Sequence, residues 1–109
     1  MKKYFITESE RKGTCYFEFQ KGEFDGTFWL EDSLLLEADI FDELGLCNYF
    51  ELAVPDFYYY GPNRISREQW KQLVSIVPKN SKAEEVLEEL MFWAEECFEK
   101  CGTFSVLGI

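Results

Sequence analysis

SKAEEVLEELMFWAEECFEKCG, residues 81–102, is the stretch whose reading decides the fold. Ser81 with Glu84 three residues on is a capping-box spacing, which satisfies the first free N–H groups of a helix. Gly102 supplies the stop. At about 100° per residue, Ala83, Val86, Leu87, Leu90, Ala94, Cys97, Phe98 and Cys101 fall on one stripe, the expected core face. Glu85, Glu88, Glu95, Glu96 and Glu99 fall opposite. Phe92 lies in the middle of that acidic side, about 180° from the centre of the stripe.

Working outward, Ser66 and Gln69 repeat the capping-box spacing. Trp70, Leu73, Val74 and Val77 follow at helical spacing, and Pro78 closes that segment. Thr14 to Gln20 alternates, with Cys15, Phe17 and Phe19 against Thr14, Tyr16, Glu18 and Gln20, which is the period of a half-buried strand. Lys3 to Thr7 reads as a first strand, and the polar turn Ser9 to Gly13 suggests a hairpin between the two. After the turn Lys21 to Gly26, Thr27 to Leu30 is expected to return as a third strand. Asp39 to Leu44 reads as a short helix with Ile40, Phe41 and Leu44 inward, stopped at Gly45, with Leu46, Tyr49 and Phe50 in a following loop. Phe57 to Tyr60 reads as a strand with aromatics on both faces, ended by Gly61-Pro62-Asn63, and Thr103 to Leu107 as the last strand. The order predicts one α+β domain over residues 1–109: an antiparallel sheet with two main helices, about 66–77 and 82–101, packed on one face.

Charge is concentrated in this chain of net charge −10. Eight acids and no base lie between Glu31 and Asp56, and seven glutamates precede Lys100 from Glu84 onward. Such patches steer a basic partner and raise its association rate. Eleven Phe, six Tyr and three Trp are more than a core of this size needs, so some rings are expected at an interface, the alternative being an aromatic core with scattered exposed rings. The N-terminal run turns polar at Thr7-Glu8, too early for a signal peptide, and no window approaches the ~20 apolar residues of a membrane span. A cytoplasmic protein with reduced cysteines and no membrane partner is expected. Cys97 and Cys101 stand one helical turn apart, but without a Cys-x-x-Cys pair or any histidine they read as buried small hydrophobes, not zinc ligands.

The absence of histidine removes serine and cysteine triads and most acid–base shuttles. Carboxylate-only chemistry needs a deep cleft, which a domain of this size seldom provides. Pro55-Asp56 and Glu10-Arg11-Lys12 are fragments of a two-metal nuclease pattern in the wrong chain order, and Gly22 and Gly26 sit in an acidic turn that repels phosphate. No enzyme activity, cofactor or metal is expected. Arg64, Arg67, Lys71, Lys79 and Lys82 form the only basic stretch, flanked by both acidic blocks. It reads as a solvated helix face that pairs with neighbouring acids, and nucleic-acid binding is disfavoured. What remains is protein binding. The candidate surface is Phe92 ringed by Glu88, Glu95, Glu96 and Glu99, unless the 31–56 segment covers that ring as a second small core. A second candidate is Asp39, Asp42 and Glu43 beside Tyr49, whose alternative is a merely solvated loop.

The stretch DFYYYGPNRISREQW, residues 56–70, resembles strand–turn–helix segments of bacterial immunity proteins of the contact-dependent growth inhibition or polymorphic-toxin class. The chain is similar to that class also in length, acidity and lack of a catalytic set. The resemblance implies an inhibitor that binds a cognate toxin domain, often a nuclease with a basic cleft, and blocks its active site. It carries over no functional residue. Two other classes compatible with the same residues are a nucleic-acid mimic or anti-defence protein, and a small regulatory interaction module.

Overall fold

The structure, a computed structural model, describes residues 4–108. Its strands are β1 (Phe5–Ile6), β2 (Tyr16–Lys21), β3 (Leu34–Glu37), β4 (Asn63–Ser66) and β5 (Thr103–Leu107). They form one antiparallel sheet in the order β1-β3-β2-β5-β4. The helices are α1 (Ala38–Glu43), α2 (Leu46–Ala53), α3 (Arg67–Ile76) and α4 (Lys82–Cys101), and a single 3-10 turn covers Glu8–Glu10. The fold is α+β, as the element order predicts.

Both long helices start where their caps place them. Ser66 Oγ accepts from Gln69 N–H (3.2 Å) while Gln69 Oε1 accepts from Ser66 N–H (2.9 Å). Ser81 Oγ accepts from Glu84 N–H (3.1 Å), and Gly102 closes α4 in the left-handed region (φ 78°), its N–H donating to the Cys97 and Phe98 carbonyls. The stripe from Ala83 to Phe98 is buried as expected. Its last member, Cys101, is exposed, as is Cys15. Cys47 is half-buried, and Cys97 alone of the four thiols is fully inside.

Four local expectations need correction. First, β1 does not form a hairpin with β2. It pairs with β3, Phe5 opposite Leu36, so β3 lies between the two segments expected to be adjacent; Lys3 of the expected strand lies outside the described residues. Second, the third strand is not Thr27 to Leu30 but the apolar run Leu34–Glu37. Trp29 takes φ 59°, a left-handed conformation no strand tolerates and one that is uncommon for a bulky residue. Third, Phe57 to Tyr60 is turn, not strand: Asn63 Oδ1 accepts from Tyr58 N–H (2.7 Å) and its Nδ2 donates to the Tyr58 carbonyl (2.9 Å), a side chain taking the place of a ladder. Fourth, the segment after Gly45 is the helix α2, with Leu46, Phe50 and Ala53 buried at helical spacing.

One face of the sheet is largely apolar, the other mixes Glu18, Gln20 and Ser105 with Tyr16, Leu35 and Leu107, and both are covered. Phe17, Phe19, Leu34, Leu36, Ile65, Phe104 and Val106 point at the helices. Phe17 stacks on Phe41 of α1 (centroids 3.9 Å apart), while Phe104 meets Trp70, Trp93 and Phe98 edge-on or tilted at 5.5–5.9 Å. Eight of the eleven phenylalanines are buried, so most of the aromatic surplus is core. On the other face the segment 22–33 lies across Glu18, Gln20 and Ser105. Glu18, 1% exposed, accepts from Trp29 N–H (2.8 Å), Leu30 N–H (2.9 Å) and Ser33 Oγ (2.6 Å). Gln20 Nε2 donates to Thr27 O (2.8 Å) and Ser105 Oγ to Gly22 O (2.8 Å). A buried carboxylate is tolerated when its oxygens are satisfied in this way.

Candidate binding surface

The outer face of α4 is the candidate surface, and Phe92 is its centre. The ring is 91% exposed, so no part of the 31–56 segment covers it. The alternative in which it forms a second small core is excluded. The helix beneath is well fixed, because Ala94, Cys97 and Phe98 anchor its opposite side in the core.

The carboxylates around Phe92 are not equivalent. On the flank nearer β1 and β2 they serve the fold. Glu85 accepts from the Tyr4 hydroxyl (2.9 Å), and Glu89 accepts from the backbone N–H groups of Tyr4 and Phe5 (2.8–3.1 Å). Glu96 binds Lys21 Nζ at 2.9 Å and Lys100 Nζ at 3.7 Å. The Lys21 hydrogen bond holds the Glu96 carboxyl below its ordinary range and raises the ammonium in turn. On the flank nearer α3, Glu88 and Glu99 are exposed, and Glu95 makes a long contact to Arg67 (3.7 Å) while staying 44% exposed. Of the carboxylates expected to ring Phe92, then, Glu88 and Glu99 are exposed, Glu95 is half-exposed with its long contact to Arg67, and Glu96, equally half-exposed, is hydrogen-bonded to Lys21.

The second group sits on another support. α1 packs on β2, β3 and α2, whereas α4 packs on β5 and α3. Asp39 and Glu43 are exposed. Asp42 is exposed too but accepts the Tyr59 hydroxyl (2.9 and 3.0 Å), and burial together with that bond pushes the Tyr59 phenol up to about 12. Tyr49 is half-buried against the core, which leaves less of it for a partner than its place in an expected loop implied.

Sequence reasoning missed several exposed apolar groups. Met91 is 39% exposed beside Phe92, and Leu52, Tyr58 and Tyr60 are exposed around α2 and the 57–62 turn. Met91 had a visible signal, an apolar residue outside the core stripe of a regular helix. Leu52 had none while α2 was read as loop. In the basic stretch, Arg64 of β4, Arg67 of α3 and Lys79 of the following turn pair with Glu23, Glu95 and Glu84 at 3.4–3.7 Å.

Glu10 is taken up by Thr7, whose N–H and hydroxyl it accepts at 2.9 and 3.0 Å. Among the described residues no three His, Cys, Asp or Glu side chains converge on a common point as metal ligands would, and no helix is long and apolar enough to cross a membrane. No protein-family model, curated protein or solved structure matches this chain.

Proposed function

We propose that this chain is a binding protein, without catalytic activity of its own, that neutralises a cognate toxin domain in the cytoplasm by covering its basic substrate cleft. This is the activity implied by its resemblance to immunity proteins. The observation that carries the reading is Phe92, a large ring left 91% exposed on a rigid helix among outward carboxylates. Aromatic rings are enriched at the centre of protein interfaces and polar groups at their rim, and a few such central side chains carry most of the affinity. A basic nuclease cleft is the complementary surface, because the same acids that steer the encounter lie beside the anchor that holds it.

The test is growth protection. A toxic domain encoded beside this chain is expressed alone and then together with it. The expected result is rescue by the native protein and loss of rescue by Phe92→Ala and by Glu88→Lys. Full protection by Phe92→Ala overturns the reading in favour of a phosphate mimic, which has no use for an apolar ring, and absence of any protection overturns the toxin assignment altogether.

A further inference from the structure

Beside Phe92 the facing sides of α3 and α4 leave a groove of about 240 Å³, lined by Trp70, Lys71 and Val74 from one helix and Met91 and Glu95 from the other. It is smaller than the roughly 300–1,000 Å³ of a small-molecule site, and its size suits a single apolar side chain. Its floor is the buried Trp70, and its walls are the half-buried Val74 and the part-exposed Met91. Projected down α4, Glu88, Glu95 and Glu99 fill the sector of about 100° between Met91 and Phe92. The apolar slot and the apolar ring are therefore separated by a strip of three carboxylates, two of them without any cation within bonding distance among the described residues.

We infer that this groove receives a leucine- or methionine-like side chain of a protein partner, from a segment whose neighbouring arginines or lysines pair with Glu88, Glu95 and Glu99. The inference rests on the reading of the α4 face as a protein-binding surface and adds the chemistry of what it recognises. Charge decides the occupant. A second copy would bring the same three carboxylates against themselves on a chain of net charge −10, and like charges across an interface are strongly disfavoured. A purely apolar segment would leave those carboxylates desolvated and unpaired. A purely basic one would leave the slot and Phe92 facing water. Only a segment with both features satisfies both halves of the surface. Lys71 on the rim opposes such a partner, and Arg67 already contacts Glu95 at 3.7 Å, so the fit is tuned rather than maximal.

Met91 is one of two methionines in the chain, which makes its ¹³C-labelled methyl a direct reporter of groove occupancy. The probes are three synthetic helical peptides: one with leucines flanked by arginines, one with each leucine replaced by serine, and one with each arginine replaced by glutamine. The first should shift the Met91 methyl saturably, and the other two should bind at least about tenfold more weakly. Lys71→Glu, an exposed change, should tighten the first peptide several-fold. Val74→Arg should remove the response with the near-ultraviolet circular dichroism unchanged. Should Val74→Arg fail to fold, the Lys71→Glu result and the peptide comparison still decide. Equal shifts by the leucine-free peptide, a weaker complex with Lys71→Glu, or a Met91 signal that moves with the protein's own concentration each overturn the inference. In the growth assay, Val74→Arg that still protects where Phe92→Ala does not overturns the groove and leaves the toxin reading standing. Selective peptide binding without any growth protection overturns that reading and leaves the groove.

Discussion

Phe92 and Phe98 are six residues apart on one helix and have opposite surroundings. Phe98 is 6% exposed, its ring 5.6 Å from that of Phe104 and capped by the Arg67 guanidinium at 5.5 Å. Phe98→Ala should therefore cost roughly 3–5 kcal/mol, the sum of lost transfer energy and a residual cavity. Phe92→Ala should leave stability within about 0.5 kcal/mol and yet cost about 2 kcal/mol or more of partner affinity. Urea denaturation of both variants checks the first pair of values; equal destabilisation would mean that Phe92 is held by contacts its exposure does not suggest. Tyr59 offers a different test at this scale. Its phenol is raised from 10.0 to about 12 by burial and then by the Asp42 bond. The folded state therefore keeps a proton that the unfolded state loses, so this contribution is complete below pH 10 and disappears as pH climbs towards 12. In Tyr59→Phe the tyrosinate absorbance step near pH 12 should be missing and stability should fall less steeply across that window. A step that survives the substitution would show that another phenol produces it.

At the scale of elements, the segment 22–33 is held down by Glu18, Gln20 and Ser105, and Glu18 makes the most of these bonds. Glu18 receives two backbone N–H groups and a hydroxyl from it, and hydrogen bonds to an ionised group contribute more than neutral ones. Glu18→Ala should cost roughly 1.5–3 kcal/mol and speed amide exchange at Trp29 and Leu30 well before that of α4. Unchanged exchange at those two amides would show that Gln20 and Ser105 hold the segment without it. The same segment explains where sequence reasoning reached and where it stopped. α3 and α4 were legible because cap, stripe and stop all lie within a few residues of one another; the wheel placed Phe92 opposite the core stripe, but only the fold decides that no loop covers it. Thr27 to Leu30 was misread because its apolar residues look like a strand, while the reason they are not is a carboxylate on β2. β3 was missed because Leu34, Leu35 and Leu36 are buried on both faces and show no alternation. α2 was missed because α1 ends only two residues before it, so Gly45 looked like the start of a loop. The pairing of Glu96 with Lys21 was missed because the two are distant in sequence.

For the molecule as a whole, the relevant quantity is the field of its charge. With net charge −10 and exposed carboxylates on α1, on α4 and on the segments between them, association with a basic partner should slow markedly between low and physiological ionic strength, while dissociation changes less. Stopped-flow measurement of both rates checks this, and a salt-independent association rate would mean that the acids serve solubility alone. The two outer strands have their own consequence. Along β1 the backbone donors of Tyr4 and Phe5 are already taken by Glu89, and β4 is four residues long, preceded by Pro62 and carrying Arg64 at its centre. Neither border presents the long, flat, unpaired row of amides on which another chain can template a strand. Crowded solutions of this protein should therefore resist fibril growth, because one border of its sheet is covered by a carboxylate and the other is short and charged.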